Sequence, residues 1–182
     1  HSSHKKSNGI SCIVAGEKPY HGAMILTTSA AIKTGTKYLQ VFTEEEYAHT
    51  LPIILPQIIA KPFSLSDFEN SMSSFNRILI GPGTTTSVKK YVDAALENIN
   101  SLDSLIIDAG ALMYIDKNKS FSDRLIITPH PGEAARMLNI SVSEVQADRY
   151  KTVRMLYDLF QCLVVLKGSG SVSYTHLRAH ET

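Results

Sequence analysis

The segment LIITPHPGEAARMLNISVSEVQADRYKTVRMLYDLFQCLVVLKGSGS, Leu125 to Ser171, decides the fold. It opens on an apolar run, Leu125–Thr128, and leads to another, Leu163–Leu166. Between them apolar residues recur at helical spacing over Val142–Phe160, with Ser141 or Ser143 placed to cap the pattern. Two short apolar runs joined by helix imply parallel neighbours in a sheet covered by helices. The junction after the first run, Thr128-Pro129-His130-Pro131-Gly132-Glu133, carries more than a turn requires. Pro131 or Gly132 can open a helix, and Glu133 in its first turn complements the positive end. That leaves His130, held between two prolines, with no evident turn-making task.

The same alternation extends through the chain. Further strand candidates are Ile10–Ala15, Tyr38–Phe42, Arg77–Ile80 and Ser104–Ile107. Helical patterns occupy Ala23–Lys33, which Gly35 would end, and Ser87–Ile99. Thr50–Lys61, interrupted by Pro52 and Pro56 and followed by Pro62, fits neither period. The expectation is an α/β chain with a mostly parallel sheet flanked by helices. Its 182 residues suit one domain, and 43% hydrophobic against 19% charged residues supply a core. A net charge of +1 argues against a broad grip on nucleic acid or anionic lipid. Cys12 and Cys162 both sit in apolar stretches, without disulfide or zinc spacing. No apolar run is long enough to span a bilayer and no signal-peptide pattern appears, so a cytoplasmic location is expected.

In open α/β sheets, ligands bind beyond the carboxyl ends of the strands, where helix N-termini point outward. The five junctions there read AGEKPYHGA, GPGTTTS, DAGAL, PHPGE and KGSGS. His130 projects at that edge, where a neutral imidazole can donate to or stack on a ligand. In GPGTTTS the two glycines permit close backbone approach, although Gly-Pro-Gly alone is most often a turn. Asp108 ends a strand, as an N-cap or a functional acid. Lys167 with its glycines can reach phosphate oxygens, but the order is not that of a P-loop. The basic segment HKKSNG precedes the first strand.

In this order HKKSNG, VAG…YHGAMILTTSAAIKTG, ILIGPG, LIIDAGAL, IITPHPGEAARML and VVLKGSGS resemble the ADP- or ATP-dependent NAD(P)HX dehydratases, from about His4 to Ser171. The resemblance implies a ribokinase-like layered sandwich and repair of NADHX and NADPHX, nicotinamide cofactors hydrated on the reduced ring. A nucleotide phosphoryl group activates the ring hydroxyl, which is otherwise a poor leaving group. It further implies that Gly22, Ala23, Gly83 and His130 contact the hydrated dinucleotide, with Asp108 nearby. By the same resemblance Lys5 is expected to contact phosphate, and Lys167, Gly168, Ser169, Gly170 and Ser171 are expected to form part of the adenine-nucleotide site. The implied cofactors are ADP or ATP with Mg²⁺, and the implied assembly is a homo-oligomer when full length.

Three departures stand out. Thr84 and Thr85 replace the family's Leu-Gly and are expected to narrow the pocket, and Lys6 replaces a glycine. Family members continue into further strands and a Gly-x-Gly-Asp loop carrying the catalytic base, a motif absent from these 182 residues. The expectation is therefore a partial domain over 1–171, incomplete at its C-terminal side and inactive alone. Residues 172–182 are expected to be a non-native or disordered tail, of which 173–182 packs on no core, and the lack of the later strands is expected to leave the Leu163–Leu166 edge uncovered. A small-molecule kinase and a non-catalytic nucleotide-binding module are the alternative readings.

Overall fold

The computed structural model describes residues 9–175 and 179–181. Seven strands follow one another through the body of the chain: Ile10–Val14 (β1), Leu39–Thr43 (β2), Ile59–Pro62 (β3), Phe75–Ile80 (β4), Ser104–Ile107 (β5), Leu125–Ile127 (β6) and Leu163–Leu166 (β7). Two more, Val172–Tyr174 (β8) and Ala179–Glu181 (β9), come last. They form one sheet in the order β3-β2-β1-β4-β5-β6-β7-β8-β9, parallel from β3 to β7 and antiparallel at β8 and β9. The chain reverses its direction of travel between β1 and β4, so the crevice of this doubly wound sheet opens where those two strands end.

Among the described residues seven α-helices connect the strands: His21–Lys33 (α1), Glu45–Ile54 (α2), Leu65–Ser71 (α3), Lys89–Glu97 (α4), Pro131–Leu138 (α5), Val142–Ala147 (α6) and Arg149–Phe160 (α7). Successive strand residues face opposite ways and build two cores. Ile13, Ala15 and Val41 pack with Met24 of α1 and Leu51 of α2. Cys12, Val14, Phe42, Ile78, Ile107, Ile127 and Val164 pack with α3, α4, α5 and α7 on the other face. Beyond β4 the first face thins out. Ile106, Ile126, Leu163 and Val165 are only partly buried and join neither core. Burial pushes the Cys12 thiol well up and Cys162 up to about 12, so both behave as small apolar residues.

Several expectations are corrected. The stretch from Thr50 to Lys61 divides between α2, which tolerates Pro52 near its end, and β3, an edge strand where Pro62 needs no ladder donor. The single helix expected over Val142–Phe160 is two, because Asp148 leaves helical geometry (φ −146°, ψ 90°) and caps α7, accepting from the Lys151 N–H at 2.8 Å. The unpacked tail expected from Ser173 is contradicted at its start, where Ser173 and Tyr174 pair with β7 and Tyr174 packs against the core. Val172 is buried, β8 pairs with β7, and the Tyr174 ring lies 5.1 Å from that of Tyr157. The β7 edge is thus covered; residues 176–178 and 182 lie outside the described set.

Candidate functional site

The carboxyl ends of β1, β4, β5, β6 and β7 bring the junctions singled out above into one row. After β1, the Gly16 and Glu17 N–H groups donate to the carbonyls of Pro82 (3.0 Å) and Gly83 (2.7 Å), joining the β1 and β4 junctions by backbone. Gly83 has φ +63°, and a Cβ there would meet the Tyr20 carbonyl at 2.4 Å and the Ala23 Cβ at 3.0 Å. Ala23 and Gly83 are therefore neighbours. Gly22 beside them is exposed, with open space where its side chain would be. A ligand can approach this backbone without meeting a side chain at Gly22.

Glu17 holds the two junctions together and was not singled out from the sequence. Only 5% of its surface is exposed. Its carboxylate accepts from the Thr85 N–H (2.8 Å) and from the Thr85 and Ser87 hydroxyls. Thr84 turns its hydroxyl back to the Gly81 carbonyl at 2.8 Å. The threonines thus serve the loop's own geometry, with Thr85, itself exposed, satisfying a buried acid that would be costly to leave unpaired. The available signal was an acid directly after a strand, beside hydroxyls on the next junction.

Asp108 begins a 3₁₀ turn but gives it no side-chain cap. Its Oδ1 instead accepts from Lys167 Nζ at 2.5 Å, reaching past β6. The side chains are 23% and 40% exposed, so the pair is neither sealed nor freely solvated. The Lys167 N–H donates to the Pro129 carbonyl at 2.9 Å, fastening the KGSGS loop to the His130 turn.

His130 is more tightly engaged than its sequence position implies. It is the N-cap of α5: its Nδ1 accepts from the N–H groups of Gly132 (3.0 Å) and Glu133 (3.3 Å). The Glu133 carboxylate returns to accept the His130 N–H at 2.8 Å, completing a capping box. His130 Nε2 lies 3.3 Å from the other Glu133 oxygen. A nitrogen that accepts two N–H groups carries no proton, so the neutral ring is protonated at Nε2. The ring remains 51% exposed. What it offers a ligand is mainly its face, and a hydrogen bond from Nε2 would compete with Glu133. Its rigidity comes from the box as well as the prolines.

Among the expected site residues, Gly22, Ala23, Gly83, Asp108, His130 and Lys167–Ser171 all lie along this edge; Lys5 lies outside the described residues. Arg149, not singled out earlier, donates to the carbonyls of Leu166, Lys167 and Gly170. A separate recess lined by Gly9, Ser11, Lys37 and Arg77 sits at the opposite edge, beside the start of β1 and β4, where Arg77 pairs with Asp103 at 3.2 Å. Among the described residues no helix is long and apolar enough to cross a membrane.

The NAD(P)H-hydrate dehydratase family profile matches residues 11–180. The chain belongs to the NAD(P)H-hydrate dehydratase family. It is 32% identical over 171 residues to the bifunctional NAD(P)H-hydrate repair enzyme of Vibrio cholerae, covering 93% of this chain and 34% of that enzyme. It is 30% identical to the ADP-dependent (S)-NAD(P)H-hydrate dehydratase of Bacillus subtilis, covering 93% of this chain and 62% of the relative. The Bacillus subtilis ADP/ATP-dependent dehydratase co-crystallized with ATP/Mg²⁺ superposes with a TM-score of 0.81 at 29% identity, over 95% of this chain and 62% of that one. A ribokinase-like superfamily protein of Enterococcus faecalis gives 0.86 at 23% identity, over 98% and 64%, which shows the ribokinase-like fold. The dehydratase-family chain thus spans about a third of the first relative's length and about three fifths of the others'.

Proposed function

We propose that this chain carries the dinucleotide and adenine-nucleotide loops of a nucleotide-dependent NAD(P)HX dehydratase. One observation carries the reading: Lys167 is bonded through its N–H to the His130 turn and through its ammonium to Asp108, so the two loop sets share one edge. In this reading Gly22, Ala23 and Gly83 present backbone to the hydrated dinucleotide. The His130 face packs against its ring or ribose. Lys167 neutralises nucleotide phosphate, and Gly168–Ser171 approach it with little steric bulk. ADP or ATP supplies the phosphoryl group that turns the ring hydroxyl into a leaving group. The protein's task is to hold the two ligands in line and exclude misaligned encounters.

Among the described residues no group of three or more His, Cys, Asp or Glu gathers for a metal. Mg²⁺ would therefore enter held mainly by the phosphates and water, as a hard cation that keeps part of its hydration shell. The 182 residues contain no Gly-x-Gly-Asp, so binding, rather than turnover, is the proposed property of this chain.

His130→Asn tests the reading better than His130→Ala. Asn is a good N-cap and retains α5, whereas Ala would cost about 1 kcal/mol through the cap alone. The expected result is an NADHX affinity lower by roughly five- to thirtyfold, from loss of one stacking or polar contact. ADP affinity and the melting midpoint should change little. Calorimetric titration of both ligands beside a thermal melt decides it. Equal loss for both ligands, or no loss for NADHX, counts against the proposed site. Phosphoryl transfer to a sugar would favour the kinase alternative.

A further inference from the structure

The geometry points to Arg149 as the positioning residue of the nucleotide loop, an inference that rests on reading Lys167–Ser171 as that loop. Arg149 is the first residue of α7, whose start is fixed by the Asp148 cap. Its guanidinium donates to the carbonyls of Leu166 (3.0 Å), Lys167 (3.0 Å) and Gly170 (3.2 Å), and to Gln146 Oε1 (3.1 Å). The Ser171 hydroxyl donates to the Gly168 carbonyl at 3.1 Å. The carbonyls of 166, 167, 168 and 170 are therefore all drawn onto protein donors. The backbone N–H groups of Gly168, Ser169 and Gly170 find no acceptor among the described residues. For an anion this polarity is favourable: four carbonyl oxygens that would repel it are engaged by protein donors while backbone donors are left for phosphate.

The fit is close. Gly168 has φ +146°, and a Cβ there would come within 3.2 Å of Arg149 Nη2. The loop lies on the guanidinium as on a flat support. Arginine suits the task because its donors form a rigid planar fork, and three carbonyls can be held at once. A lysine at 149 would carry the same charge on a single flexible point and could not hold that set in one geometry.

The test uses the 182-residue chain with ADP and with ATP, Mg²⁺ present, comparing wild type, Arg149→Gln and Arg149→Lys. Calorimetric affinity, amide exchange at Gly168–Gly170 and the melting midpoint are read together. The expected result is affinity about tenfold weaker or more in both variants, since ligand binding must then order the loop. Loop exchange should rise in both, while the midpoint falls by no more than about 3 °C. Unchanged affinity in Arg149→Gln overturns the inference. So does full rescue by Arg149→Lys, which would mean that charge alone suffices, and so does unchanged loop exchange. A wild type that binds neither nucleotide removes the reading of the loop, and the inference with it. Wild-type binding that persists in both variants removes the inference alone.

Discussion

Gly81→Ala is expected to destabilise the chain by about 3–5 kcal/mol, a large share of the stability of an ordinary domain. The added Cβ would lie 1.8 Å from the Asp108 carbonyl oxygen and 2.7 Å from its carbon, with the Ala111 Cβ at 3.0 Å. These obstacles are mostly backbone, so no side-chain rotation relieves them. The residue also has φ +128°, a conformation that penalises any side chain. Nor can the strand ends part cheaply. The Gly81 N–H donates to Val14 at 3.1 Å and the Asp108 N–H to Ile80 at 2.9 Å, pinning β1, β4 and β5 together. Gly22→Ala is the control, because its Cβ meets nothing within 4 Å. That variant should stay within about 0.5 kcal/mol of wild type. Urea denaturation of the three proteins measures both effects; a Gly81→Ala midpoint matching wild type would show that the ends of β4 and β5 are not tightly joined.

Lys167→Met and Asp108→Asn are expected to move nucleotide affinity in opposite directions. Met removes the ammonium proposed to meet phosphate and leaves Asp108 without its 2.5 Å partner. A carboxylate then remains beside an anionic ligand. A loss of about 100-fold for ADP is expected, in line with removing a charge-assisted contact and leaving a repulsive charge behind. Asn at 108 keeps the shape but releases Lys167 from competition, so affinity should rise about two- to fivefold, the effect of one partly solvated charge. Titrations at one fixed ionic strength are needed, because both effects are screened by salt. If Asp108→Asn weakens ADP binding as much as Lys167→Met, the pair supports the nucleotide together and the competition argument fails.

Much of the scaffold was legible because β1, β4, β5, β6 and β7 are short apolar runs followed by recognisable turn chemistry. Where that chemistry was masked, the reading failed. Pro52 and Pro56 obscure the period of α2 and β3. Asp148 interrupts a helix without interrupting its apolar spacing, so α6 and α7 read as one. The beginning of the tail looked aperiodic, yet a three-residue strand such as β8 needs only Val172 and Tyr174 on a covered edge. At the site, the glycines and Lys167 announced themselves by position after a strand. The His130 cap did not, because histidine is not among the usual N-cap residues. The Asp108–Lys167 pair spans 59 residues in sequence, and Arg149 acts on carbonyls, which carry no residue identity. Both become visible only once the sheet order is known.

The one-sided burial of β5, β6 and β7 sets how this sequence can change. Leu105, Ile107, Leu125, Ile127, Val164 and Leu166 are sealed, whereas the alternate residues Ile106, Ile126, Leu163 and Val165 keep part of their surface open. A saturation-mutagenesis map across these strands should therefore read as a comb. At the sealed teeth, truncation to Ala costs about 2–5 kcal/mol, while a threonine at the open teeth costs far less. Within this chain the sealed half of each strand fixes the shape of the edge that carries the loops, and the open half contributes little to it.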